Sequence, residues 1–235
     1  IDAATAKRLA IRRYGFHGTS HNYVSHTMAA FLGHHYDDLK MIVCHLGNGA
    51  SVSAVAGGRP VETSMGLTPL QGLVMGTRSG DIDPGVHAYL CRSGLSIDEV
   101  DTLLNKKSGM LGLCGRNDFR DVGSAMAEGD ADAKLAFDVY IHRLVGYIGN
   151  YMAVLGGVDA LAFTAGVGEN DQKVRAAVCE RLANLGFHLD DDRNSVRNKQ
   201  PRLISTDESP VKVLVVPTNE ELQMAREVRE ALGGN

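Results

Sequence analysis

Residues 39–63, LKMIVCHLGNGASVSAVAGGRPVET, decide the architecture. Residues 39–46, apolar apart from Lys40 and His45, are of strand length and read as a buried strand. Gly47-Asn48-Gly49-Ala50 turns the chain. Residues 51–56 alternate polar and apolar, Gly57-Gly58 turns again, and residues 59–63 return, which predicts a β-hairpin. A buried strand that runs through His45 into a glycine turn puts reactive side chains at a strand end, where open α/β sheets take their ligands.

Upstream, residues 12–16 read as extended, followed by the turn His17-Gly18-Thr19-Ser20-His21. A helix is expected over 20–32, capped by Thr19 or Ser20. Downstream, residues 64–84 are glycine-rich and aperiodic; a loop of that length in a folded domain is functional or disordered. Helical text resumes at 84–92. Ser96 and Glu99 make a capping box for a helix to 107, which Gly109 stops, and a shorter helix follows at 118–127. Residues 130–155 form the longest helix, with Phe137, Ile141, Leu144, Ile148, Met152 and Leu155 at steps of three and four. Its other faces are apolar too, which predicts a central, mostly buried helix. A strand at 159–164, a glycine turn at 165–170 and a helix at 171–185 come next. A strand at 211–216 then leads to a final helix ending near 232, opened by the T-x-x-E box of Thr218 and Glu221. The order predicts a mixed sheet flanked by helices, with no internal repeat or linker.

Composition narrows the function classes. The chain has 235 residues, 44% hydrophobic and 22% charged, with a net charge of -4. That balance leaves no basic stripe for nucleic acid. No apolar run approaches the roughly 20 residues of a membrane span, and residues 1–10 lack a signal-peptide layout. Cys44, Cys91, Cys114 and Cys179 form no CxxC pair, so a zinc or redox motif is not indicated and a cytoplasmic chain with reduced cysteines is expected. The sequence begins at Ile1 without an initiator Met, which is read as a fragment.

Three turns follow apolar strands: His45-Leu46-Gly47-Asn48-Gly49, Gly166-Val167-Gly168-Glu169-Asn170 and Pro217-Thr218-Asn219-Glu220. Glycine there lets backbone N–H groups approach an anion, and the second turn leads into a helix N-terminus, which favours phosphate. None matches a P-loop or a full GxGxxG fingerprint. In Met75-Gly76-Thr77-Arg78-Ser79-Gly80-Asp81-Ile82-Asp83-Pro84, Arg78 is a planar cation suited to phosphate or carboxylate; its ordinary alternative is local pairing with Asp81 or Asp83. His17 and His21 are four apart, but with a cap between them the two rings need not share a face, the Glu of an HExxH pair is missing, and zinc is discounted; His17 and His45 suit anion contact from turns, with a structural role the ordinary alternative. Glu221 is absorbed by capping, which leaves Glu220 free to hold Mg²⁺ directly or through water. Asp118-Phe119-Arg120 combines a ribose-type acceptor, an apolar ring and a cation.

Together, Arg13-Tyr14-Gly15-Phe16-His17-Gly18-Thr19-Ser20-His21, the turns at His45 and Gly166, the Arg78 loop, Asn117 to Arg120 and Pro217 to Glu221 resemble the acetokinase family, in the family's order and across almost the whole chain. The resemblance implies an α/β fold of the actin-like, ribonuclease H-like ATPase type. It implies reversible, ATP-dependent phosphorylation of acetate with Mg²⁺. By that similarity His45, Leu46, Gly47, Asn48 and Gly49 hold ATP phosphates. Asp118, Phe119 and Arg120, with Gly166, Val167, Gly168, Glu169 and Asn170, embrace the adenosine. Arg78 and His17 stabilise the transferring phosphoryl group, and Glu220 binds magnesium. Phosphoryl transfer suits such a set, since it needs positioning and cationic donors more than covalent chemistry.

The resemblance also implies that residues 1–235 are a C-terminal nucleotide-binding and dimerisation domain of a homodimer. The family's N-terminal domain, with a further phosphate segment, an Arg for the carboxylate and an essential Asp, has no counterpart here. The final helix, about 221–232, is then expected to pack on that domain, and the fragment alone to be inactive. A propionate or butyrate kinase of the same family and, for the fragment, a non-catalytic nucleotide-binding module are the competing readings.

Overall fold

The buried strand lies inside one sheet, and the hairpin forms one side of it out to the edge, in a computed structural model that describes residues 1–233. Its strands are β1 (Met41–Leu46), β2 (Ala50–Ala56), β3 (Arg59–Thr63), β4 (Ala160–Thr164), β5 (Arg202–Leu203) and β6 (Lys212–Val215). They lie in the order β3-β2-β1-β4-β6-β5. β4 runs parallel to both β1 and β6, while β2–β3 and β5–β6 are antiparallel. The hairpin turns through Gly57 and Gly58, both at positive φ (56° and 67°), the conformation that two-residue turns demand.

The helices are α1 (Ala3–Arg8), α2 (Gly18–Leu32), α3 (Gly85–Arg92), α4 (Ile97–Lys106), α5 (Gly109–Cys114), α6 (Phe119–Ala127), α7 (Ala131–Leu155), α8 (Ala165–Asn170), α9 (Gln172–Arg181), α10 (Asp191–Ser195) and α11 (Glu220–Ala231). The chain divides into two compact units, a larger one of residues 17–47, 52–63 and 145 onward, and a smaller one of residues 1–16, 48–51 and 64–144.

In the larger unit the sheet is covered on both faces. Met41, Val43, Ala160, Ala162, Leu214 and Val216 pack with Val24, Met28 and Ala29 of α2. On the opposite face α8 lies so close that a Cβ on Gly168 would sit 3.3 Å from the carbonyl carbon of Phe163. Arg175 of α9 is buried there, donating from Nη1 to the carbonyls of Gly168 and Glu169 (3.0 Å each) and from Nε to Asn194 Oδ1 (2.7 Å). Burial, then the nearby Arg202 charge, pushes its pKa down to about 10. α11 packs on α2, where Gln223 is buried and Asn22 Nδ2 donates to Glu227 Oε1 at 3.2 Å.

The smaller unit counts among its buried apolar residues Met65, Leu73, Val74 and Met75 of the aperiodic segment, with Val100, Leu104, Met110, Phe119, Val122 and Phe137. The segment from Ser64 to Pro84 has no regular secondary structure. The capping box of Ser96 and Glu99 is present.

Several local expectations are corrected. α2 starts at Gly18, with His17 at the N-cap in a left-handed conformation (φ 58°), so Thr19 and Ser20 lie in its first turn and do not cap it. Gly109 opens a short helix as well as following one. Residues 165–170 are helical, because Arg175 clamps the α8 carbonyls that a glycine-rich turn would leave to water. α11 is capped by Asn219, which accepts from Leu222 N, and the T-x-x-E box does not form. α7 buries one stripe while Leu135 and Val154 stay 55% and 52% exposed, so its apolar faces are not all covered.

Candidate active site

The polar centre of the larger unit lies where β1, β4 and β6 end. His45, on β1, is nearly buried, and its Nδ1 is 2.8 Å from Ser20 Oγ. Ser20 Oγ is also 2.8 Å from Thr218 Oγ1, just beyond β6. The Thr218 N–H donates to Glu169 Oε1 at 3.2 Å, and the same oxygen accepts from Ala165 N at 3.0 Å. His17 stacks on His45 with ring centroids 4.0 Å apart and planes tilted by 16°. His21 is 6.2 Å from His45, and its Nδ1 lies 2.8 Å from Ser53 Oγ on β2. A single chain of contacts thus links all three strand ends.

Electrostatics fix the charge state of this cluster. Burial, reinforced by the His17 charge, pushes the pKa of His45 down to about 3. Burial first, then His45 and His17, does the same to His21. Both rings are neutral at ordinary pH and act as oriented dipoles. Backbone strain marks the same place: His17 and Ala165 are two of the three non-glycine residues at positive φ among the described residues, a conformation that costs energy and concentrates at functional sites. Thr164, paired in register with His45, buries an Oγ1 that has no partner among the described residues. Over Gly166 the space is open, with nothing within 4 Å of where a Cβ would stand, and Asn170 Nδ2 donates to the Gly166 carbonyl at 2.8 Å. Val167 is half-buried and Glu169 is held by its two N–H donors, which leaves Gly166 and Asn170 as the exposed positions of α8.

In the smaller unit the Arg78 loop is held by main-chain contacts. Gly76 N donates to the Asn48 carbonyl, Met110 N to the Met75 carbonyl and Leu111 N to the Gly76 carbonyl. A Cβ on Gly76 would stand 2.0 Å from Asn48 Oδ1, so the exposed Asn48 side chain lies directly against this loop. Arg78 is half-buried, with Nη1 3.7 Å from Met75 Sδ; the local pairing with Asp81 or Asp83 is not seen. Asp118 caps α6 and accepts from Arg120 Nε at 3.0 Å, and hydrogen bonds from Arg120 hold its carboxyl down to about 2. Phe119 is buried edge-on to Tyr140, with centroids 4.6 Å apart, so its ring serves the core.

Glu220, the first residue of α11, is exposed. No group of three or more His, Cys, Asp or Glu able to hold a metal is present among the described residues. A lone carboxylate fits Mg²⁺ that keeps several waters and is held mainly by substrate phosphate. Sequence reasoning missed Ser20, Ser53, Thr218 and Arg175, the residues that orient the ones it found. They share no local signal, since Ser20 and Thr218 stand among polar neighbours in the sequence and become meaningful only when their partners are known.

With this geometry in view, the acetokinase family model matches residues 1–226. This chain belongs to the acetokinase family. The acetate kinase of Leifsonia xyli is 60% identical over 233 residues, covering 99% of this chain and 59% of that protein. The crystal structure of Porphyromonas gingivalis acetate kinase superposes with a TM-score of 0.95 at 43% identity, over 99% of this chain and 59% of that one. A propionate kinase from Francisella tularensis gives a TM-score of 0.90 at 46% identity, over 97% and 58%. The chain therefore spans less than two thirds of the length of these relatives. Its mixed sheet and flanking helices match the family's structures, and no helix among the described residues is long and apolar enough to cross a membrane.

Proposed function

We propose that this chain carries the nucleotide-phosphate residues of an acetate kinase. The γ-phosphoryl group of ATP passes to a carboxylate oxygen of acetate, the bond to the β–γ bridging oxygen breaks, and acetyl phosphate and ADP result, reversibly. The observation that supports this best is the Glu169–Thr218–Ser20–His45 chain under the stacked His17, at the ends of three parallel-running strands. In this reading His45, Leu46 and Gly47, with Asn48 and Gly49, hold phosphates, and residues 166–170 offer backbone to the adenosine. Asp118 and Arg120 belong to the nucleotide contacts as a paired surface couple, with Phe119 supporting them from the core. Arg78 and His17 meet charge developing on the transferring group. Magnesium, when bound, neutralises phosphate charge, and Glu220 would hold it through water.

A second reading, transfer to propionate, is favoured by the comparable likeness to the Francisella propionate kinase. The ratio of kcat/KM for acetate and propionate separates the two. A homodimer, a cytoplasmic location and the role of residues 1–235 as a nucleotide-binding and dimerisation domain belong to the same proposal. Calorimetric titration with Mg-ATP tests its core: binding should weaken in His45→Ala and Asn48→Ala. Equal affinity in both variants would remove the strand-end site from nucleotide binding.

A further inference from the structure

The hydroxyls beneath His45, of buried Ser20 and half-buried Thr218, have a direction. Ser20 Oγ lies 2.8 Å from both Thr218 Oγ1 and His45 Nδ1. A neutral imidazole carries one ring proton, and the hydrogen bond at one nitrogen decides which nitrogen holds it. His45 is neutral in this protein because burial holds its pKa near 3. Three arrangements are consistent with the distances; one, with Nδ1 and Thr218 both donating to Ser20 Oγ, leaves the Ser20 proton without an acceptor among these contacts, and two remain. In one, Thr218 donates to Ser20, Ser20 donates to Nδ1, and the proton of His45 sits on Nε2. In the other, Nδ1 donates to Ser20, Ser20 donates to Thr218, and Nε2 is a bare acceptor.

The first arrangement uses every hydroxyl proton inside the chain. The second leaves the Thr218 hydroxyl proton to find another acceptor, and no other contact of Thr218 Oγ1 is present among the described residues. A bare Nε2 would also turn a lone pair toward any anion at the strand end. The Thr218 backbone is itself fixed by Glu169 Oε1 at 3.2 Å, so the origin of the chain is anchored.

We propose that Ser20 and Thr218 are positioning residues that hold His45 as its Nε2–H tautomer, so that an uncharged imidazole donates a hydrogen bond to a phosphate oxygen. This rests on the nucleotide-site reading for its ligand, though not for its tautomer. Ser20 sits in the first turn of α2, one turn from the His17 N-cap. The same hydroxyl therefore also fixes the face on which His17 stacks at 4.0 Å.

The test is the ¹⁵N spectrum of the histidine side chains in the nucleotide-free protein, with His45 assigned through His45→Gln. The expected pattern is a protonated Nε2 and a bare Nδ1 in the unaltered protein, with that preference lost in Ser20→Ala and in Thr218→Val and kept in Thr218→Ser. Thr218→Val preserves side-chain size and supplies the reading should Ser20→Ala fail to fold. A protonated Nδ1 in the unaltered protein, or an unchanged tautomer in Thr218→Val, overturns the proposal. In the active enzyme Thr218→Val should lower kcat about tenfold, the size of one lost hydrogen bond to a charged partner, with Thr218→Ser near the parent; an unchanged kcat overturns it too. Because the spectrum is read without nucleotide, failure of ATP to bind would count against the kinase reading and leave the tautomer result standing.

Discussion

The strand-end cluster of the larger unit and the Arg78 loop of the smaller one hold polar groups in place by opposite means. Around His45 the work is done by side chains: Ser20, Thr218, Ser53 and Glu169 each supply a specific partner. Around Arg78 it is done by main chain and by the absence of side chains. A Cβ on Gly80 would stand 2.3 Å from the Leu73 carbonyl oxygen, and one on Gly109 would stand 2.2 Å from that of Met75. A site of the first kind is sensitive to protonation and to the loss of single hydroxyls. One of the second kind is sensitive to volume and indifferent to pH. An aperiodic stretch is not thereby a loose one, since backbone hydrogen bonds can fix a loop as firmly as a ladder fixes a strand.

The comparison breaks most readily at Arg78. If the loop exists to present this cation, Arg78→Ala should lower kcat roughly 10²–10³-fold while thermal stability stays near the parent. A full-speed variant would reduce the loop to packing. Gly109→Ala attacks the scaffold of the same loop. The residue sits at φ 62°, and the added methyl would meet the carbonyl oxygens of Met75 and Arg78 at 2.2 and 2.6 Å. Left-handed strain and the backbone clash together should cost about 3 kcal/mol in urea unfolding. A cost below about 1 kcal/mol would show that the loop yields easily.

The strand-end cluster should instead answer to pH. His21 and His45 are held neutral down to about 3 in the folded chain, against about 6.5 when unfolded. Between those values the unfolded chain binds protons that the folded one refuses, so stability is complete above pH 6.5 and falls as the pH drops. Each ring contributes a slope of about 1.4 kcal/mol per pH unit. Burial pushes His26 in the same direction. Unfolding midpoints at pH 7 and pH 5 should differ by less in His45→Gln than in the parent, and an identical difference would mean that the ring is protonated in place. Asp118, held down to about 2, loses its contribution only below the ordinary carboxylate range and leaves this window to the histidines.

How much of this was legible in the sequence follows the same division. The strands β1, β4 and β6, the hairpin and the long helix α7 announce themselves by apolar runs and periodicity, and the glycines of the Arg78 loop are conspicuous. β5, with two residues, and α10, with five, are too short to carry a period. The serine and threonine partners of His45 were not visible at all, because Ser20 meets Thr218 across 198 positions and nothing local distinguishes a buried hydroxyl from a capping one. Residues 165–170 were misread for a related reason. Local glycine propensity predicts a turn, whereas the buried Arg175 accepts the cost of desolvation to hold the α8 carbonyls.

The smallest effect concerns the start of α11, where sequence and structure disagree about which residue caps. If Thr218 capped the helix through a T-x-x-E box, its hydroxyl would be committed to a backbone N–H and unavailable to Ser20. In the structure Asn219 Oδ1 accepts from Leu222 N at 3.0 Å, which releases Thr218 to join the His45 chain. Asn219→Ala should therefore cost about 1 kcal/mol and leave the His45 tautomer unchanged. Thr218→Val should change the tautomer with little loss of α11 stability. The two variants exchange roles if the box forms after all. Hydrogen exchange at the Leu222 amide reads this directly: faster exchange in Asn219→Ala alone supports the observed cap, and faster exchange in Thr218→Val alone would return the hydroxyl to the helix and detach it from the histidine.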